Sequence, residues 1–411
     1  MKTVTIEGKI LTILPALIDP HVHFRVPGGE HKEDWQHAAR AAVRGGVTTV
    51  CEMPNNTPPC TTLERLIEKK RLIDAQLQEA DIPLRYQLYF GADKQHLDQI
   101  ALVKQICPAL KIFMGCSTGG LVIDTDEDLD TAFRLAKESG LLVAVHAEDE
   151  ALLQAAKKRH SLCNSDYALH SQLRPREAAI RAVEKALNLC ALHDVPLYVL
   201  HLSTREELEL VRQAKNAGLP VYAEVTTHHL FLSENDYALH GAFVQINPPL
   251  RTFKDQEALW EGIRDGTVDT LGTDHAPHTY EEKKLPFGKA PSGIPGVETL
   301  LPLMLDAVAQ GRLDLKRLME LVRFNSEKIF KLSSHDDIVL VDLALEKEVR
   351  ADNLASKCGW SPYCGRILKG WPMYTILKGR VYIASQGTPE GKRQLEAYLR
   401  ADGVGGLASS L

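Results

Sequence analysis

The stretch Asp19-Pro20-His21-Val22-His23-Phe24-Arg25 directly follows an apolar run over residues 13–18. In an extended strand alternate side chains share a face, so His21 and His23 point the same way. Two imidazoles on one face at a strand end form half of a metal site, and imidazole suits zinc and other first-row divalent ions. Taken alone, His-x-His also describes an ordinary half-buried strand edge. The rest of the chain decides between the two.

Working outward, short apolar runs recur at 16–24, 47–54, 84–92, 110–115, 141–148, 196–203, 220–228 and 268–276. Their near-continuous apolarity is that of parallel strands buried on both faces. Amphipathic segments separate them. Thr61-Thr62-Leu63-Glu64 resembles a capping box opening a helix that sets Leu63, Leu66, Ile73 and Leu77 on one side. After Pro175, Ile180, Val183, Leu187 and Cys190 recur at spacings of three and four. Eight strand-then-helix units predict an α/β fold, a (β/α)8 TIM-type barrel. The alternative, a doubly wound sheet, calls for a glycine-rich phosphate loop after the first strand, and none stands there. Residues 15–334 are expected to form the barrel. Residues 1–14 with 335–390 predict a small β-sandwich built from both termini, and 391–411 a C-terminal helix and tail, mobile from Gly403.

Charge is near balance, with 48 basic against 54 acidic residues and a formal net charge of −6. No basic stripe points to nucleic acid. The start reads as a short strand and not as a signal peptide, and no apolar run approaches the ~20 residues of a membrane helix. The eight cysteines lack Cys-x-x-Cys spacing, which predicts reduced thiols and a cytoplasmic enzyme. The expected partner is a small-molecule substrate, with a homo-oligomer compatible with the chain.

In a barrel, chemistry sits where strands end. The first predicted strand ends in His21 and His23, the fifth in Val145-His146-Ala147-Glu148, the sixth in Leu200-His201-Leu202-Ser203 and the eighth in Gly272-Thr273-Asp274-His275. The fourth opens with Lys111 among Leu110, Ile112, Phe113 and Met114. Singly, each has an ordinary account: His146 or His201 as a core histidine, Asp274 as a helix cap, Lys111 snorkelling to the rim. A lysine among apolar neighbours is costly unless paired or neutralised. Carbamylation, which turns a deprotonated lysine into an anionic bridge between two metals, is one resolution. Five strand ends carrying such residues together favour a metal centre. His228 and His229, ending the seventh predicted strand, read as supporting residues, and His31, His37 and His170 as solvent-facing.

This set resembles the amidohydrolase superfamily and, within its cyclic amidohydrolase branch, the dihydroorotase family. The motifs that carry the resemblance are Asp19 to Arg25, Glu52-Met53-Pro54-Asn55-Asn56, Asn247-Pro248-Pro249-Leu250-Arg251 and Gly272-Thr273-Asp274-His275-Ala276-Pro277-His278. The resemblance runs over about residues 17–379. The resemblance implies two divalent ions, zinc foremost, with His21, His23 and Asp274 on one and His146 and His201 on the other. It implies an N6-carboxylated Lys111 between them, a metal-bridging hydroxide as nucleophile and Asp274 as general base. Arg25, Asn55, Asn247 and His278 are the implied substrate contacts. The implied reaction is the reversible cyclisation of N-carbamoyl-L-aspartate to L-dihydroorotate in pyrimidine biosynthesis. Hydantoinases, dihydropyrimidinases and allantoinases share the metal set but act on rings without the free carboxylate that Arg25 suits, and a non-catalytic scaffold of the same family is a further alternative. Val26 departs from the acidic residue that often follows the arginine. Gly115 to Gly120 do not match the substrate-covering loop of the family.

Overall fold

In the computed structural model, which describes residues 2–117, 120–160 and 167–408, the apolar runs become short strands. In chain order these are β1 (Thr3–Ile6), β2 (Lys9–Pro15), β3 (Leu17–Val22), β4 (Val47–Glu52), β5 (Arg85–Leu88), β6 (Phe90–Gly91) and β7 (Ala109–Phe113). They continue as β8 (Leu142–His146), β9 (Leu197–Val199), β10 (Val221–Thr226), β11 (Thr270–Gly272), β12 (Ile338–Glu348), β13 (Ile367–Leu377) and β14 (Arg380–Ile383). β3, β4 and β5 pair in parallel, and β6 to β11 pair in sequence order as a second parallel sheet. The two sheets adjoin at both ends. Only Tyr89 separates β5 from β6, its amide donating to Glu52 O at 3.0 Å. At the other end Val22 and His275 form a parallel bridge, and His23 N donates to His275 O at 2.8 Å.

β3, β4, β7 and β8 are buried throughout, as parallel strands under helices require. Pro20 has no N–H to give a ladder, and the register of β3 against β4 shifts between Asp19 and Val22. Helix Leu63–Ala80 starts at Thr62, whose hydroxyl accepts from Arg65 N at 3.3 Å. The expected capping box is one-sided, because an arginine holds the third helical position where the reciprocal bond needs Glu or Gln. Its inner face buries Leu66, Ile73 and Leu77, and Lys69 with them. Helix Arg176–His193 buries Val183, Leu187 and Cys190.

The terminal segments form one five-stranded antiparallel sheet in the order β1-β2-β12-β13-β14. Bulges at Leu340/Val341 and Asp342/Glu346 let the long pair β12–β13 change direction without splitting the sheet. Ile6, Leu11, Ile13, Ile338, Leu340 and Ile376 cluster with Leu395 of helix Pro389–Ala408. The glycine-rich stretch from Gly403 continues this helix to Ala408, and residues 409–411 lie outside the described residues.

Several strands stop earlier than the apolar runs suggest. His201 and Asp274 have left-handed backbone, φ 40° and 45°, which turns the chain out of its strand. Lys111 lies in the middle of β7 and does not open it. His228 and His229 do not end a strand: β10 stops at Thr226, and both belong to helix Thr227–Phe231. Cys51, Cys60, Cys107, Cys190 and Cys358 are buried free thiols, Cys116 and Cys364 exposed ones. Cys163 lies outside the described residues. No helix among them is long and apolar enough to cross a membrane.

Candidate metal centre

His21 and His23 leave β3 on the same face, as period-2 alternation demands. Their Nε2 atoms both face Asp274 Oδ1, at 3.2 and 3.0 Å. The other ring nitrogens are held from behind: His21 Nδ1 by Glu224 Oε1 at 2.8 Å, His23 Nδ1 by Asn55 Oδ1 at 2.8 Å. Both oxygens accept, so both Nδ1 atoms carry the proton and both Nε2 lone pairs point inward. On the adjacent strands His146 Nδ1 lies 3.0 Å from His201 Nε2, while His146 Nε2 is bonded to Glu148 Oε2 at 2.9 Å. The ring centroids of His21 and His201 are 5.5 Å apart, which joins the two halves. Lys111 is buried on the same rim, its Nζ 4.5 Å from the Phe113 ring centre.

Electrostatics agree with a site meant for positive charge. Burial lowers the Lys111 amine to about 7, although the Asp274 and Glu224 carboxylates pull the other way. Burial likewise lowers His23 to about 3 and lowers His146 and His201, so all three present neutral imidazoles. Burial opposes a charged His21 too, but Asp274 and Glu224 outweigh it and raise its pKa. The Glu224 and Asp274 carboxylates thus place negative charge on both sides of this ring, which a metal ion would balance. The donors fit such an ion: tetrahedral zinc with bonds of about 2.0–2.1 Å sets its ligands about 3.3 Å apart, near the 3.0–3.2 Å spacings here. The ligand atoms of His21, His23 and Asp274 all lie within 4.8 Å of one another.

Arg25 follows this pair with φ 67°, an uncommon backbone for a side chain to hold and one that gathers at functional sites. Its Nε donates to Pro277 O at 3.1 Å and its Nη2 lies 3.2 Å from His278 Nε2. Lys32 Nζ, which can only donate, is 3.1 Å from His278 Nδ1. His278 therefore carries its proton on Nε2, bonded to Ser292 O at 3.0 Å. Burial, with the Arg25 and Lys32 cations, holds this ring neutral. Asn247 has a buried Oδ1 without a hydrogen-bond partner.

Glu224, Arg174 and Lys69 belong to no motif, and Glu148, at the end of Val145-His146-Ala147-Glu148, has no role legible from sequence. Glu224 accepts from the Tyr198 hydroxyl at 2.9 Å and from His201 N at 3.1 Å besides holding His21. Lys69 lies under the Glu52-to-Asn56 motif, donating to Glu52 Oε1 at 3.3 Å, Met53 O at 2.7 Å and Asn56 Oδ1 at 2.5 Å. Glu52 Oε2 accepts from Phe24 N at 2.8 Å and Asn56 Nδ2 donates to Val26 O at 2.9 Å, so this cluster braces both sides of Arg25. Lys69→Met leaves the Glu52 carboxylate buried without its cation. A loss of about 3–5 kcal/mol is expected in urea unfolding, and an unchanged midpoint would show that the pair contributes nothing.

His170, read from sequence as solvent-facing, is buried, its Nε2 2.7 Å from Ile246 O. The short helix Leu169–Leu173 that carries it packs inward, a placement local polarity does not report. His31 is exposed, and His37 is half-buried beside Asp34. His229 is tied to Thr226 Oγ1 at 2.8 Å, and His228 is buried with an unpartnered Nδ1.

Residues 12–335 match the model of the amidohydrolase family. The chain is 35% identical over 398 residues to a dihydroorotase of Staphylococcus epidermidis, covering 93% of this chain and 90% of that one. It is 38% identical over 398 residues to a dihydroorotase of Methanosarcina mazei, covering 92% and 84%. Among solved structures, an L-hydantoinase (dihydropyrimidinase) from Arthrobacter aurescens superposes with a TM-score of 0.87 at 30% identity, over 93% of this chain and 86% of that one. A dihydropyrimidinase from Brevibacillus agri gives 0.82 at 26%, over 93% and 87%.

Proposed function

The chain belongs to the amidohydrolase family, and from its place beside the dihydroorotases we propose that it interconverts N-carbamoyl-L-aspartate and L-dihydroorotate in pyrimidine biosynthesis. It is a metal-dependent cyclic amide hydrolase. The observation that carries this reading is identity of 34–38% to dihydroorotases across about nine-tenths of the chain. We read β3 to β11, with β5 and β6 as one interrupted strand, as a closed (β/α)8 barrel over 15–334, with 1–14 and 335–390 as its small β subdomain and 391–408 within the terminal helix. The bridge between Val22 and His275 supports that closure. We place the enzyme in the cytoplasm.

We assign His21, His23 and Asp274 to one divalent ion, His146 and His201 to the other, and an N6-carboxylated Lys111 between them, with zinc the ion these donors suit. Two such ions would make a hydroxide nucleophile from water at neutral pH and polarise the amide carbonyl. Lys111 supports its assigned form through its pKa near 7, which leaves a neutral amine to take up carbon dioxide. Asp274 faces both histidines through Oδ1, so Oδ2 takes the proton of the attacking water and returns it to the departing ring nitrogen. In the condensing direction the same oxygen removes a proton from the carbamoyl nitrogen. Arg25 presents a planar guanidinium that pairs two hydrogen bonds with the substrate's free carboxylate. His278 holds its place beside that guanidinium, and the amide groups of Asn55 and Asn247 complete the ring contacts.

The hydantoinase-like neighbours favour a second reading, hydrolysis of rings without a carboxylate. Turnover of dihydroorotate, hydantoin and allantoin, measured side by side with metal content, decides between them. Dihydroorotate is expected to be the substrate, and faster turnover of hydantoin would sink the proposal. Arg25→Met is expected to cost about 2–3 kcal/mol in kcat/KM for dihydroorotate, the range of a charge-assisted hydrogen bond, with little effect on residual hydantoin turnover. Equal losses on both rings would remove Arg25 from carboxylate recognition.

A further inference from the structure

We propose that Glu224 and Glu148 are separate positioning residues, each governing one half of the binuclear centre, an inference that rests on the metal assignment above. The two carboxylates do the same job on opposite ring nitrogens. Glu224 accepts the Nδ1–H of His21 and so presents Nε2. Glu148 accepts the Nε2–H of His146 and so presents Nδ1. A histidine ligand whose far nitrogen donates to a carboxylate is fixed in tautomer and ring angle and made more basic. Both acids are fully buried; Glu148 touches neither His21 nor His23, and Glu224 meets the other half through the backbone N–H of His201, not through a ligand ring.

Their supports differ as well. Glu224 is held from within the barrel by the Tyr198 hydroxyl and His201 N. Gly272 makes room for it: a Cβ there would stand 2.4 Å from Glu224 Oε2. Glu148 is held from outside by Arg174, whose Nε lies 3.1 and 3.0 Å from its two oxygens and whose Nη2 also donates to it. The same Nη2 donates to Cys116 O at 2.8 Å, in the segment that follows β7. The half that holds His146 is thereby fastened to a surface segment, and the half that holds His21 to the barrel interior.

The test is zinc binding by equilibrium dialysis with elemental analysis, and anomalous diffraction to locate each ion. Glu148→Gln is expected to weaken the ion at His146 and His201 about 10- to 100-fold and to leave the ion at His21, His23 and Asp274 at wild-type affinity. Glu224→Gln is expected to weaken the ion at His21, His23 and Asp274 by a similar factor and, because Glu224 also holds His201 N, to weaken the other ion less. Arg174→Met and Gly272→Ala leave the carboxylates in the sequence but disturb their seats, and each is expected to follow its own half more weakly. Equal weakening of both ions in either Gln variant, or no weakening in either, overturns the proposal. If a Gln variant does not fold, its Arg174 or Gly272 counterpart decides by the same criterion. Failure of the wild-type protein to bind two ions would instead undo the metal assignment, and the two failures are thus distinct.

Discussion

Asp274→Asn is expected to retain both metal ions and to lose turnover by about 10²–10⁴-fold, the range of a positioned general base. The asparagine keeps an oxygen to face His21 and His23, where Asp274 Oδ1 now lies 3.2 and 3.0 Å away, but its amide cannot accept and return a proton. The native carboxyl suits the task because it stays ionised. Burial would raise its pKa, yet His21, His23 and His201 together draw it well below the usual carboxylate value. It therefore takes a proton only in passing. Turnover in both directions should fall together, since one oxygen serves both. Wild-type turnover with two bound ions would remove Asp274 from proton transfer.

Lys111→Ala is expected to lose the bridge between the two ions, to bind metal more weakly and to lose about three to four decades of activity. That figure follows from the several kcal/mol a metal site contributes to charge stabilisation at about 1.4 kcal/mol per decade. Lys111 is enclosed at the centre of β7, between Leu110 and Ile112. The alanine leaves a space in which acetate or propionate can place a carboxylate where the carbamylated side chain ended. Partial recovery with added short acids, absent from the wild-type protein, is the signature of such a bridge. Full activity with two ions per chain in Lys111→Ala would refute it.

The candidate ligands are readable because each lies within or just beyond a short apolar strand, where alternation and strand polarity fix direction over a few residues. His21 and His23 need only the geometry of one strand. His146, His201 and Asp274 become a set once eight such strands are taken to share one rim. His170 was misread for the complementary reason. It stands between Leu169 and Ser171 in a segment of mixed polarity, and packing against Ile246, far along the chain, buries it. His228 and His229 show a boundary effect, since the helix Thr227–Phe231 starts where apolarity suggested the strand continued.

The supporting residues were out of reach in a different way. Glu224 meets His21 across 203 positions of sequence, and Arg174 meets Glu148 across 26. Nothing near Glu224 or Lys69 sets them apart from other acids and lysines in a chain with 54 acidic and 48 basic residues, whereas Glu148 stands two residues from His146. Local periodicity and motif thus determine the strands, the rim and the donor types, because those depend on interactions between near neighbours. Which nitrogen each histidine presents, which carboxylate holds it, and how Arg25 is braced depend on side chains brought within about 3 Å by closure of the fold. A hydrogen bond falls off over tenths of an ångström, whereas a sequence pattern constrains position only to within a turn or a strand. The donor types of the candidate site are therefore legible in the residues, and their orientation is decided by the tertiary structure.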